Sequence, residues 1–263
     1  MVKLLPVLLT TFCLHHLVAC RRLSDDIEND ISPIGAAAPY DFRILNYVRI
    51  TQPPISPMVS RKIGQHLELH CEAMGSPPPT IQWYKDNMKI TENESFDDNI
   101  INRTPSIAKV SSRLVINHVL VRHQGFYHCE ADNGDHIDKA GTNLVVPNAH
   151  GREMNLTELI KLKFVGSHHQ PRVTFWASAY MDVIGADVIL PCKHVGNPKP
   201  DVLWFDINNK EIENDERFSI LQEGELKIKS INWEDMGMYT CMVRNSVGQD
   251  AIETFLYPMQ QSN

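Results

Sequence analysis

Beyond its N-terminal segment the sequence has no apolar run that could span a bilayer, which takes about 20 consecutive apolar residues, and the tail from Met259 to Asn263 is polar. Neither a transmembrane span nor a lipid-anchored C-terminus is expected from that pattern. Basic clusters are missing too. The formal net charge is -7, whereas nucleic-acid binding needs grouped Lys and Arg to neutralise phosphates. There is no Gly-x-Ser-x-Gly elbow, no His-Glu-x-x-His helix, no phosphate-cradling glycine loop and no Cys-x-x-Cys pair. Each of these is the local signature of a particular chemistry, so the sequence points to no catalytic residue, no metal site and no cofactor.

The N-terminus offers Lys3, then apolar residues from Leu4 to Cys13 and from Leu17 to Cys20, interrupted by His15 and His16. Its length and flanks suit a signal peptide over residues 1–20, with Val18 and Cys20 as the small residues of the cleavage site and Arg21 as the mature start. Leu17-Val18-Ala19-Cys20 also fits a bacterial lipobox, which would make Cys20 a lipidated first residue. The animal-type extracellular character of the remainder favours the cleaved signal. Residues 21–45 mix acid, Pro and Ala, the composition of a mobile leader. Of the six cysteines, Cys71, Cys129, Cys192 and Cys241 follow the signal, and an even number in an exported chain implies disulfides.

Internal repetition organises the rest. Gly64, Leu67, Leu69, Cys71 and Trp83 recur as Gly185, Val188, Leu190, Cys192 and Trp204, all at an offset of 121. Leu114, Ile116, Tyr127 and Cys129 recur as Leu226, Ile228, Tyr239 and Cys241 at an offset of 112, so the first copy carries nine extra residues after its Trp. Leu67, Leu69 and Cys71 alternate with His66, Glu68 and His70, the period-two pattern of a strand with one buried face. Gly75-Ser76-Pro77-Pro78-Pro79 and Gly196-Asn197-Pro198-Lys199-Pro200 then read as turns.

Each copy has a Cys, a Trp twelve residues on, a Leu-x-Ile strand and a Tyr two residues before the second Cys. This resembles the immunoglobulin fold, in which a Trp on strand C packs on the disulfide joining strands B and F and the Tyr forms a corner. The resemblance implies an all-β chain of two tandem immunoglobulin-like β-sandwich domains of I-set or C2 type, over residues 46–147 and 171–258. It also implies the pairings Cys71 with Cys129 and Cys192 with Cys241. The second copy has the full pattern Asp235-x-Gly237-x-Tyr239-x-Cys241. The first has Gly125, Tyr127 and Cys129 but His123 in place of the Asp, which is expected to weaken one turn contact. Between the domains, Met154, Leu159, Ile160 and Phe164 would line one face of a short helix. An irregular linker over 148–170 is the simpler reading.

The C-terminal third adds Trp233-Glu234-Asp235-Met236-Gly237, Arg244-Asn245, Gly248 and Thr254-Phe255-x-Tyr257-Pro258. With these, the chain is similar to the small secreted two-immunoglobulin proteins that include the nematode zwei-Ig proteins and the insect insulin-binding protein of imaginal morphogenesis. Two roles follow from the resemblance. The nematode members keep axons and neuronal cell bodies in position by modulating adhesion, which is the first expectation, and the insect member sequesters insulin-like peptides. The implied partner is an extracellular protein, a neural adhesion molecule or an insulin-like peptide.

Three kinds of candidate site remain. His66, Glu68 and His70 share a strand face, but neighbours there lie about 7 Å apart, too far for three ligands to close on one zinc at about 2.1 Å. A solvated face is the better account. Asn93, Asn102 and Asn155 are N-glycosylation sequons, two of them in the stretch that lengthens the first domain. Glycans there would cover one edge and leave the opposite sheet free. Finally, with Trp204 and Cys241 pointing inward, alternation puts Leu203 and Phe205 of strand C and Met238 and Met242 of strand F on the outer face. Strand G, read with Phe255 and Tyr257 inward, adds Ile252, Thr254 and Leu256 to it. This apolar sheet face is the expected contact for a partner or a second copy of the chain, unless the first domain, linker or leader covers it. The equivalent first-domain face, with Gln82, Tyr84, Phe126, His128 and Glu130, is more polar.

Overall fold

A computed structural model of the chain describes residues 46–54, 56–90, 106–147 and 168–260. The first repeat forms β1 (Tyr47–Gln52), β2 (Met58–Ser60), β3 (Leu67–Ser76), β4 (Thr80–Lys85), β5 (Met88–Lys89), β6 (Ile107–Ile116), β7 (Gly125–Asp132) and β8 (Ile137–Val145). The second forms β9 (His169–Val183), β10 (Val188–Leu190), β11 (Cys192–Asn197), β12 (Asp201–Phe205), β13 (Phe218–Ile220), β14 (Leu226–Ile228), β15 (Gly237–Asn245) and β16 (Gly248–Met259). The helices among the described residues are two single 3-10 turns, Val121–His123 and Trp233–Asp235.

The alternation read in β3 is realised. Leu67, Leu69, Cys71 and Ala73 are buried, and the residues between them are half-buried. Cys71 bonds to Cys129 and Cys192 to Cys241, each pair with a Cα separation of 6.5 Å. Trp83 and Trp204 sit in the cores, where burying an indole requires a partner for its N–H. Trp83 Nε1 donates to Ser112 Oγ at 3.0 Å, and Trp204 Nε1 donates to the Gly224 carbonyl at 2.8 Å. The turns after β3 and β11 each contain a cis peptide, at Ser76-Pro77 and Asn197-Pro198.

The corner before each second cysteine is built alike in both repeats. Tyr127 donates its hydroxyl to the His123 carbonyl at 2.7 Å, and Tyr239 to the Asp235 carbonyl at 3.2 Å. Burial pushes the Tyr127 phenol up to about 12 and raises Tyr239 as well. Gly125 and Gly237 open the strands that follow with φ of 148° and 152°. A Cβ on either would lie 2.6 Å from Asp86 Oδ2 or 2.7 Å from Ile207 Cγ2, so glycine is required on both counts.

His123 does not lose the turn contact its substitution for Asp was expected to weaken. Its Nδ1 accepts from the Leu120 N–H at 3.0 Å, as Asp235 Oδ2 accepts from the Asn232 N–H at 2.8 Å. An imidazole nitrogen supplies the same lone pair as a carboxylate oxygen. Among the described residues His123 has no counterpart of the ion pair that in the second domain joins Arg217 Nη2 to Asp235 Oδ2 at 2.6 Å.

The layers combine in a way the repeat did not announce. β6 pairs antiparallel with β9, and β9 pairs parallel with β16. One sheet therefore runs β1-β3-β6-β9-β16-β15-β12 through both domains, with β11 also pairing β9. The remaining layers are the five-stranded β2-β8-β7-β4-β5 sheet and the three-stranded β10-β14-β13 sheet.

Candidate functional site

The face expected from strands C, F and G exists, with one strand turned over. β15 and β16 form a hairpin closed by Ser246 and Val247, whose register pairs Asn245 with Gly248, Cys241 with Ile252 and Gly237 with Leu256. Residues opposite one another share a face, so Ile252, Thr254 and Leu256 lie on the core side with Cys241. They are buried, at 6%, 0% and 0% exposure. The assignment of Ile252 and Leu256 to the partner face is therefore corrected. Phe255 and Tyr257, expected inside because they are large and aromatic, are exposed at 37% and 38%. The two-residue hairpin fixes this parity, and counting from it would have found the outward set.

Of the other expected contacts, Met238 is exposed, and Leu203, Phe205 and Met242 are half-buried on the outer side. Because β9 joins the domains, this outer face does not stop at β16. A cross-strand row passes from Met238 to Phe255, Ala179, Lys109, Met74 and Arg49, each directly opposite the next. Beside it a second row joins Tyr257, Met181 and Ile107, and Trp233 meets Tyr257 edge-on at 6.1 Å. The result is an apolar band across the domain junction, to which Met74, Ile107, Met181, Phe255 and Tyr257 contribute without having been expected.

Further along β3 and β6 the same face turns polar. Arg113 Nη1 donates to Asp250 Oδ2 at 2.9 Å, Arg172 Nε to Glu68 Oε1 at 2.9 Å, and His66 meets the same Glu68 oxygen at 3.0 Å. Asp250 Oδ2 also accepts from the Val173 N–H. The Arg113 guanidinium lies 4.6 Å from the centre of the Trp176 ring, and His70 stacks on that ring at 5.8 Å. Glu68, His70, Arg113, Arg172, Trp176 and Asp250 line an open cavity of about 460 Å³. Burial, and then the Arg113 charge, hold the His70 imidazole below its ordinary pKa. Glu68 sits below the usual carboxylate range: its burial acts upward, but the hydrogen bonds from Arg172 and His66 and their charges together outweigh it.

On the other side of the first domain, Tyr84 and His128 stack at 4.9 Å and Phe126 approaches His128 at 5.9 Å. Lys139 pairs with Glu130 beside them at 2.6 Å. Among the described residues no three His, Cys, Asp or Glu side chains are grouped to hold a metal ion, and no helix is long and apolar enough to cross a membrane. Asn93, Asn102, Asn155, the signal segment, the leader and the helix suggested between the domains lie outside the described residues.

Known proteins resemble this chain in sequence and fold. Residues 49–133 match the immunoglobulin domain family and residues 179–257 the immunoglobulin I-set domain family. The chain is 30% identical over 238 residues to the neural/ectodermal development factor IMP-L2 of Drosophila melanogaster, covering 90% of this chain and 86% of that protein. It is 30% identical over 213 residues to the zwei Ig domain protein zig-4 of Caenorhabditis elegans, covering 78% of each. The crystal structure of IMP-L2 superposes with a TM-score of 0.66 at 28% identity, over 82% of this chain and 96% of that one. With two disulfide-centred sandwiches and relatives matched over most of their length, the chain belongs to the two-immunoglobulin-domain family of IMP-L2 and the zwei-Ig proteins.

Proposed function

We propose that this is a secreted binding protein that sequesters an insulin-like peptide on the outer face of its shared sheet. The observation that carries this is the apolar band through Met238, Phe255, Tyr257, Ala179 and Met181, continued beyond Lys109 by Met74, because apolar side chains grouped on the surface of a folded chain mark an interaction site. Burying one exposed Met or Phe side chain is worth about 1.5 to 3 kcal/mol, and a few such anchors dominate most interfaces. Of the two roles implied by the resemblance, hormone binding takes precedence over axon maintenance. Similarity to IMP-L2 spans 90% of the chain, against 78% for zig-4. Maintenance of axon and cell-body position through a neural adhesion partner is the second reading, favoured by the zig-4 match, and would use the same face.

Calorimetric titration of the purified full chain with a panel of insulin-like peptides tests the first reading. Saturable binding is expected for at least one peptide, and Met238→Asp with Phe255→Asp should abolish it while the protein is still secreted and folded. Leu256→Asp, a change in the core, should block folding. If no peptide binds while the parent chain labels neuronal surfaces and the double variant does not, adhesion is the function.

A further inference from the structure

We propose that the pocket at the domain junction receives a carboxylate carried by the protein that covers the apolar band, an inference that rests on reading that face as the partner surface. Position is the first argument. His70 lies four residues from Met74 along β3, and Arg113 four residues from Lys109 along β6, on the same side of the sheet. At about 3.4 Å per residue the pocket is roughly 14 Å from the band, within the patch of about 800 Å² that one partner ordinarily covers.

The second argument is the balance of donors and acceptors. Asp250 Oδ2 already accepts from Arg113 and from the Val173 N–H, and Glu68 Oε1 is shared by Arg172 and His66. A guanidinium carries five N–H donors. Arg113 commits Nη1 to Asp250, and Arg172 commits Nε to Glu68 and Nη1 to the Pro171 carbonyl, so the N–H groups both retain outnumber the second oxygens of Asp250 and Glu68. His70 Nε2 is buried and meets no hydrogen-bond partner.

Closure by a partner makes that imbalance expensive. Under an interface that excludes water, the part-exposed guanidinium donors of Arg113 and Arg172 would lose their hydration with nothing in its place. An acceptor-only group removes that cost, and a carboxylate fits the planar fork of an arginine, with the His70 and Trp176 rings beside it. A cation is disfavoured, because the Trp176 face that would attract it already holds the Arg113 guanidinium.

Histidine and tryptophan side-chain NMR on the full chain tests this, with sodium acetate, sodium sulfate and sodium chloride added at matched ionic strength. Acetate should shift the His70 and Trp176 signals saturably, while exposed His66 moves no more than in chloride. Arg172→Gln should weaken that response at least tenfold, and should weaken the insulin-like peptide bound in the preceding test by tenfold or more. Shifts no larger than those in chloride overturn the proposal. So does saturation by sulfate at lower concentration than acetate, which would make this a sulfate-ester site, and so does unchanged peptide affinity in the Arg172→Gln chain. Failure of the functional reading looks different. In that case no peptide binds the parent chain, while acetate still perturbs His70.

Discussion

The two domains are copies of one repeat, yet they contribute opposite layers to the molecule. The first gives its β1-β3-β6 layer to the shared sheet and leaves β2-β8-β7-β4-β5 separate; the second gives β16-β15-β12 and leaves β10-β14-β13 separate. Strand β9 makes the difference. An edge strand presents unpaired N–H and C=O groups, and β9 satisfies those of β6 on one side while pairing with β11 and then β16 on the other. A repeat therefore specifies a sandwich, whereas the exposed face depends on which edges meet.

The largest effect should come from the disulfides. Removing either, as Cys71→Ala with Cys129→Ala or Cys192→Ala with Cys241→Ala, should cost about 2 to 5 kcal/mol. Since the domains share a sheet, each change should move one common unfolding transition in calorimetry. Two transitions, with only the altered domain's displaced, would mean that the β6–β9 pairing does not couple them.

The corner comparison predicts a smaller, unequal pair of effects. Asp235→Ala removes the cap on the Asn232 N–H and the partner of Arg217, for about 2 kcal/mol, a figure kept low because the Arg217 side chain is 41% exposed. His123→Ala removes one neutral hydrogen bond, for about 1 kcal/mol. Urea titration of both variants decides it, and equal losses would show that the ion pair adds nothing.

The smallest effect is on pH dependence, and it belongs to the first domain. His70 is held below its ordinary pKa by burial and by Arg113, with Glu72 and Glu68 opposing and Lys109 reinforcing. A depressed folded-state pKa means that the unfolded chain binds the proton first, so this stability is complete above the ordinary imidazole value of about 6.5 and is lost as pH falls through and below it. His123 is lowered as well, by burial and then by Arg122 and Lys85. Urea midpoints measured from pH 7.5 downward should fall less steeply in His70→Gln than in the parent, and identical slopes would remove His70 from the account.

The sequence by itself determined the two sandwiches, because their causes are local and periodic. Alternation in β3 buries Leu67, Leu69 and Cys71 whatever lies beyond the domain, and the Cys, Trp and Tyr spacings place each core group on its own strand. The outward side of β12 and β15 followed from the same alternation. Strand β16 did not, because size suggested that Phe255 and Tyr257 belong inside, and size carries no parity. The hairpin register decided for Ile252 and Leu256. Only the tertiary structure decided that β6 and β9 pair, since a strand's hydrogen-bonding edges leave no signature in its side-chain pattern. Its single trace is β9 itself, where the core-side residues change parity across a register shift, from Val173, Phe175 and Ala177 to Tyr180, so plain alternation does not describe that strand. That pairing brings Arg113 to Asp250 and Met74 into line with Phe255, so the band and its polar pocket arise from long-range contact between the two halves of the chain.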